Sequence, residues 1–313
     1  MSEHPQPSAR ARELVRGAYD VHLHVLPDVM RRRTTDVELA RRMQELGLAG
    51  FVLKSHYAPT AERAAVVSAA VPGVHVVGSV TLNHGVGGLN PIAVEVAARA
   101  GGRVVWMPTF DSLNEPAGRV DPAPGAILPA WASLQLELRD KGVVSPPIEV
   151  AGPDGAVLPE TGRVLERVAE HGMVLATGHL GRDEIFAVVA AAVRAGVERI
   201  VVTHPEFPSQ SLSADDQRAL AEQGALLERC YTTAATGKVG WDVMFANIRA
   251  AGPDRSVISS DLGQVENPPV EDGLPLMADR LLEGGFTEDE VHTMIVTNSR
   301  LIAGAPAETT VRG

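Results

Sequence analysis

"AYDVHLH", residues 18–24, is a short apolar run that ends in His22 and His24. Its reading decides the fold, because seven later runs repeat it: a β-branched, apolar core followed by a polar or ionisable end. They are "GFVLKSH" (50–56), "VHVVGSVTL" (74–82), "RVVWMPT" (103–109), "MVLATGH" (173–179), "RIVVTH" (199–204), "ALLERCYT" (225–232) and "SVISSD" (256–261). Between most of them lie Ala-rich segments of helical period. "TTDVELARRMQELGLAG" starts at a Thr or Asp suited to capping a helix and closes on Gly47, and "SADDQRALAEQG" closes on Gly224. Eight strands alternating with helices predict an α/β chain folded as a (β/α)8 TIM barrel. An open doubly wound sheet is the main alternative, but no Gly-rich phosphate fingerprint follows the first strand.

The barrel is expected to span 18–304 as one domain, between an N-terminal extension (1–17) and a C-terminal tail (305–313). About sixty residues separate the fourth and fifth strands, where a βα unit needs far fewer. This insertion, at about 110–158, begins in the Pro- and Gly-rich "DSLNEPAGRVDPAPGAILPAW". It continues in a predicted hairpin, Ile148 to Val150 and Ala156 to Leu158, around a Pro-Asp-Gly turn. Its position suits a lid over the barrel mouth, a structural flap or a dimer contact.

Composition sets further limits. At 45% hydrophobic and 21% charged the chain can fill a large core. A net charge of -11 argues against nucleic acid, which is bound through Lys and Arg. The one basic cluster, Arg31 to Arg33, reads as a solvated turn, with binding of an anionic substrate group as the alternative. The single cysteine, Cys230, forms no internal disulfide and reads as a buried strand thiol. No apolar leader core or eighteen-residue apolar run occurs, so a cytoplasmic protein with no membrane partner is expected.

The ionisable residues carry the functional signal. His22 and His24, Lys54 and His56, Asn83 and His84, His179, His204, Glu228 and Asp261 all fall at the C-terminal ends of predicted strands. In a parallel barrel those ends share one face, where barrel enzymes assemble their sites. Period two puts His22 and His24 on one side of their strand, with Asp20 beside them. Such a pair can give two nitrogens to one zinc ion, and a catalytic zinc needs about three protein ligands and an open position. His179, His204 and Asp261 supply further nitrogens and a carboxylate. Each also has a plain structural reading: a helix cap for His179, a packed strand end for His204, a loop cap for Asp261.

This ordered set resembles the amidohydrolase superfamily of metal-dependent barrels: His-x-His after strand one, His after strands five and six, Asp after strand eight. "TMIVTNSRLIAG" (293–304) is similar to the Asn-centred segment that closes many of those barrels. The resemblance covers about 20–304. Strand four ends "WMPTFDS", without the Lys or Glu that bridges two metals in other members. The resemblance therefore implies one divalent metal, zinc first and Mn, Fe or Ni as alternatives, held by His22, His24, His179 and Asp261. His204 is then a further ligand or a group near the substrate, and a second metal bridged by a carboxylated Lys54 is the lesser alternative.

The implied chemistry is metal-assisted hydrolysis of a C–N or ester bond of a small molecule. Asp261 is the expected proton acceptor, and His204 a proton shuttle or oxyanion partner. Lys54 is expected to bind an anionic group or polarise a carbonyl, unless it makes a surface or lid salt bridge. His56, Asn83, His84 and Glu228 complete the expected substrate-binding set. Non-oxidative decarboxylation of a small carboxylic acid uses the same ligands, and a non-catalytic metal-binding barrel is the third reading. Loops 83–90, 109–158 and 206–212 are expected to build the pocket, with a homo-oligomer possible. The glycines of "LNHGVGGLNP" suit either close approach to a ligand or a tight turn.

Overall fold

The apolar runs become eight strands: β1 (Tyr19–Leu23), β2 (Gly50–Leu53), β3 (His75–Thr81), β4 (Gly102–Trp106), β5 (Val174–Ala176), β6 (Arg199–Val202), β7 (Leu226–Cys230) and β8 (Ser256–Ser259). The computed structural model describes residues 4–115, 120, 121, 130–143 and 145–305. The strands lie in sequence order, and each pairs with the next in parallel. β8 then meets β1 at their C-terminal ends. There His24 N–H donates to Leu262 O and Asp261 N–H to His22 O, both at 2.8 Å. The expected (β/α)8 barrel is the observed one, and its seam closes beside the predicted ligands.

Strand alternation makes two layers. Val21, Val52, Val77, Val104, Trp106, Val174, Val201, Leu226 and Val257 pack together inside the barrel. Leu23, Phe51, Leu53 and Ile258 pack outward with helix residues such as Leu39, Met43 and Met277. Each such buried side chain contributes about 1.5–3 kcal/mol of transfer free energy. The helices start and stop as their sequences specify. Thr35 and Glu38 form a reciprocal capping box on the helix Asp36–Glu45, and Gly47 follows at φ +75°. Ser213 and Asp216 cap the helix Ala214–Glu222 in the same way.

β1 breaks the expected alternation. Asp20 pairs with Phe51 but Leu23 with Leu53, so two residues of β1 face one of β2. This bulge keeps Val21 in the inner cluster and still turns His22 inward. Asp20 consequently does not stand with the histidines: its Oδ1 accepts Ser260 N–H (3.0 Å) and His22 N–H (3.3 Å) at the β1–β8 seam. Burial there pushes its carboxyl up to about 7, against those hydrogen bonds.

In the insertion, the expected hairpin shrinks to a single antiparallel bridge between Ala151 and Val157. Arms of three residues offer few ladder bonds, and Ile148 commits its backbone elsewhere, donating to Asp111 O (2.8 Å) and accepting from Leu113 N–H (3.2 Å). A helix, Ala130–Asp140, precedes it. The rest of the predicted flap, 116–119, 122–129 and 144, lies outside the described residues, as do 1–3 of the extension and 306–313 of the tail. The Asn-centred segment sits at the opposite end of the barrel from the site. Asn298 donates to Asp254 O (3.1 Å) and Ser256 O (2.8 Å), and Ser299 Oγ accepts Tyr19 N–H (3.0 Å), tying β1 and β8 together. Among the described residues no helix is long and apolar enough to cross a membrane.

Candidate active site

Five imidazoles ring the barrel mouth. Centroid distances run 5.5 Å from His22 to His24, 4.9 Å to His56, 6.1 Å to His179, 5.0 Å to His204 and 6.0 Å back to His22. All five are buried at the C-terminal ends of four strands, His22 in and His24 just after β1, His56 after β2, His179 after β5 and His204 after β6. Two site residues hold backbone angles that L-residues seldom adopt, His204 at φ +27° and Asp261 at φ +51°. Glycine makes the close approaches possible. A Cβ on Gly178 would lie 2.3 Å from Met107 O, and one on Gly263 1.9 Å from His24 O, so His179 and Asp261 are seated by turns that only glycine permits.

Within the ring, His22, His24 and Asp261 form the tight group. Their donor atoms lie within 4.8 Å of one another, and His22 Nε2 and His24 Nε2 each stand 3.3 Å from Asp261 Oδ1. Ligand bonds of 2.0–2.1 Å in a tetrahedral site place ligand atoms about 3.3–3.4 Å apart. Asp261 Oδ1 stands at that spacing from both nitrogens, and an ion there would take the place of the contact between Lys54 Nζ and His22 Nε2. His179 and His204 stay outside this tight group, so the four-ligand set implied by resemblance is present as three close donors with two imidazoles across the ring.

The residues behind the ring are those that metal-binding histidines require. His22 Nδ1 meets Glu228 Oε1 at 3.0 Å, His204 Nδ1 meets Gln210 Oε1 at 3.1 Å, and His179 Nδ1 lies 3.1 Å from Glu115 Oε1. A donor Nδ1 on Glu228 or Gln210 leaves Nε2 of His22 or His204 with its lone pair, which at His22 now faces Lys54 Nζ. Glu115 and Gln210 escaped the sequence reading, because both lie in loops that carry no periodicity. Glu228, expected at the substrate, instead stands behind His22. Glu228→Gln is expected to weaken metal affinity by about 10–100-fold, read by competition with a chromophoric chelator; unchanged affinity would remove this orienting role.

Charge and burial tune the same groups. Burial pushes His24, His56 and His204 well below the ordinary imidazole value and lowers His179 too, keeping them neutral and able to ligate. Burial alone would raise Asp261, but His22, His24 and Lys54 hold it well below the usual carboxylate range. Lys54 is buried, with Nζ 2.9 Å from His22 Nε2 and 4.3 Å from the Trp106 ring centre. Burial lowers its ammonium, against the pull of Asp261 and Glu228. A surface or lid salt bridge is therefore excluded for Lys54. Cys230 is buried as expected, and desolvation with Glu228 and Asp261 raises its thiol well above the ordinary value.

Over the ring opens a cavity of about 660 Å³, lined among others by the five histidines, Lys54, Asp261, Trp131, Phe207 and Lys238. Arg32 also lines it, with a side chain 4% exposed, which corrects the reading of Arg31 to Arg33 as a solvated turn. The pocket draws on loops after β1, β7 and β8 as well as on 206–212 and Trp131, and takes nothing from 83–90. Asn83 is fully buried and ties Thr109 to the His56 carbonyl (2.7 and 3.1 Å), while Thr109 Oγ1 holds His56 Nδ1 at 2.8 Å. His84 is exposed and lines a separate, largely apolar cavity of about 480 Å³ with Tyr57, Phe110 and Leu138. The glycines of that loop serve a tight turn, with Gly87 and Gly88 at φ +88° and +68°.

Barrels of this form are known from solved enzymes. An amidohydrolase from Pseudomonas aeruginosa shares 13% identity over 94% of this chain and 99% of its own, with a TM-score of 0.60. An amidohydrolase from Burkholderia multivorans with bound zinc gives 14%, 92%, 99% and 0.53, and a 2,6-dihydroxybenzoate decarboxylase from Rhizobium gives 12%, 92%, 99% and 0.53. No curated protein matches the sequence. The chain thus has the barrel fold found in amidohydrolases, the fold that the ordered His and Asp positions imply. It belongs to the family of unknown function DUF6282, whose model matches residues 17–228.

Proposed function

We propose that the chain is a metal-dependent hydrolase of the amidohydrolase type, acting on a C–N or ester bond of a small molecule. The observation that carries this reading is the placement of His22 Nε2 and His24 Nε2, each 3.3 Å from Asp261 Oδ1, at the floor of a cavity. The zinc in the Burkholderia relative of the same fold supports zinc as the first choice, with Mn, Fe or Ni suited to the same donors. Such an ion, when bound, lowers the pKa of water toward about 7 and polarises the scissile carbonyl.

The chain's own residues do the rest. Asp261, held ionised, accepts the proton of the attacking water and returns it to the leaving group. His204 faces the cavity through Nε2, with Nδ1 donating to Gln210, so Nε2 is placed to accept a proton and relay it. Lys54 and His56 orient the substrate, and Trp131 and Phe207 shield it from water. Decarboxylation is the second reading. It is favoured by the cations Arg32, Lys54 and Lys238 on the cavity wall, and by a decarboxylase among barrels of this fold.

Untreated protein is expected to hold one divalent ion per chain by plasma mass spectrometry, and dialysis against a chelator to abolish turnover until metal is restored. A metal-free protein that remains active would sink the proposal. Turnover in H₂¹⁸O separates the two reactions: label in the organic product supports hydrolysis, whereas carbon dioxide released beside an unlabelled organic product replaces it with decarboxylation.

A further inference from the structure

We infer that the substrate carries a carboxylate and that Arg32 is the residue that selects it. In a chain of net charge -11, the wall of the main cavity holds three cations, Arg32, Lys54 and Lys238, against one carboxylate, Asp261. Lys54 is engaged with His22 and Trp106 at the metal end. The other two cations stand apart from it. Arg32 is the unusual one. Its side chain is buried, Asp28 Oδ2 takes Nε at 2.5 Å, and Nη2 is buried with no hydrogen-bond acceptor.

A guanidinium N–H left unpaired in a buried site is costly, and an oxyanion in the adjoining cavity is the group that pairs it. Asp28 fixes the plane of the fork, so the free edge is presented in one orientation, which suits a planar carboxylate. Lys238 is exposed at the rim, over the Phe207 ring at 4.7 Å, and makes no ion pair among the described residues. It adds long-range attraction on the path inward.

This inference rests on the proposed hydrolase only in placing the substrate in that cavity, and the test separates the two. Benzoate, succinate and citrate, each beside its uncharged amide, and inorganic phosphate are titrated calorimetrically into metal-loaded wild type, Arg32→Gln and Lys238→Gln, with metal content measured on every sample. The wild type is expected to bind at least one carboxylate tenfold or more tightly than its amide. Arg32→Gln should lose that preference at unchanged metal content, and Lys238→Gln, a surface change without consequence for folding, should weaken binding threefold or more. The inference is overturned by equal binding of carboxylate and amide, by a preference that survives in Arg32→Gln or is untouched in Lys238→Gln, or by phosphate binding more tightly than every carboxylate. A wild type that takes up no metal on loading and still prefers carboxylates removes the hydrolase reading and leaves this one standing.

Discussion

Asp261→Asn is expected to lower turnover of any wild-type substrate by about 10²–10⁴-fold while more than half of the metal stays bound. The amide keeps an oxygen where Asp261 Oδ1 now lies, 3.3 Å from both His22 Nε2 and His24 Nε2, so a ligand atom survives. What disappears is a base. His22, His24 and Lys54 hold the carboxylate ionised although it is buried, and the amide has no lone pair of comparable basicity for a proton. The loss should fall on kcat, with KM little changed, and metal content follows from plasma mass spectrometry. Activity within tenfold of wild type sinks the proton-transfer role, and loss of metal together with activity reassigns Asp261 to ligation alone.

Arg229→Met is expected to destabilise the fold by about 3–5 kcal/mol, the largest stability effect of any single change discussed. β7 sends Glu228 and Cys230 inward toward His22, and Arg229 between them to the outer layer. There the guanidinium, fully buried, bonds Glu206 and Gln217, and Asn247 adds a bond to Glu206 at 3.2 Å. Methionine fills the volume but leaves the Glu206 carboxylate buried without its counter-charge. Urea unfolding should show the loss, and adding Glu206→Leu should recover much of it because the orphaned charge goes too. A loss below about 1 kcal/mol for Arg229→Met would mean that water reaches Glu206.

The strand runs were legible because strands buried on both faces need short unbroken apolar runs, and all eight formed where the sequence put them. The rim histidines were legible for a related reason: a polar residue at a strand's C-terminal end has one face to occupy in a parallel barrel. Less could be read where backbone departs from regular geometry. The β1 bulge moved Asp20 from the histidine face to the seam, and no sequence signal marks a single extra residue in a strand. Glu228 looked like a mouth residue, yet the strand alternation that faces it inward also sets it one layer deeper, behind His22.

The sequence by itself determined the eight-stranded alternation, the helix ends at Gly47 and Gly224, and the common rim that His22, His24, His56, His179, His204 and Asp261 share. All of these depend on local pattern, which neighbouring residues along the chain specify. Only the tertiary structure decided that two of the imidazole nitrogens stand 3.3 Å from Asp261 Oδ1, that Arg32 is buried with a free donor while Arg31 and Arg33 are exposed, and that Lys54 points at His22. Those relations join residues tens to hundreds of positions apart. Their distances are set by the closing of β8 onto β1 and by loops whose course depends on what they pack against, and neither is written in any one segment.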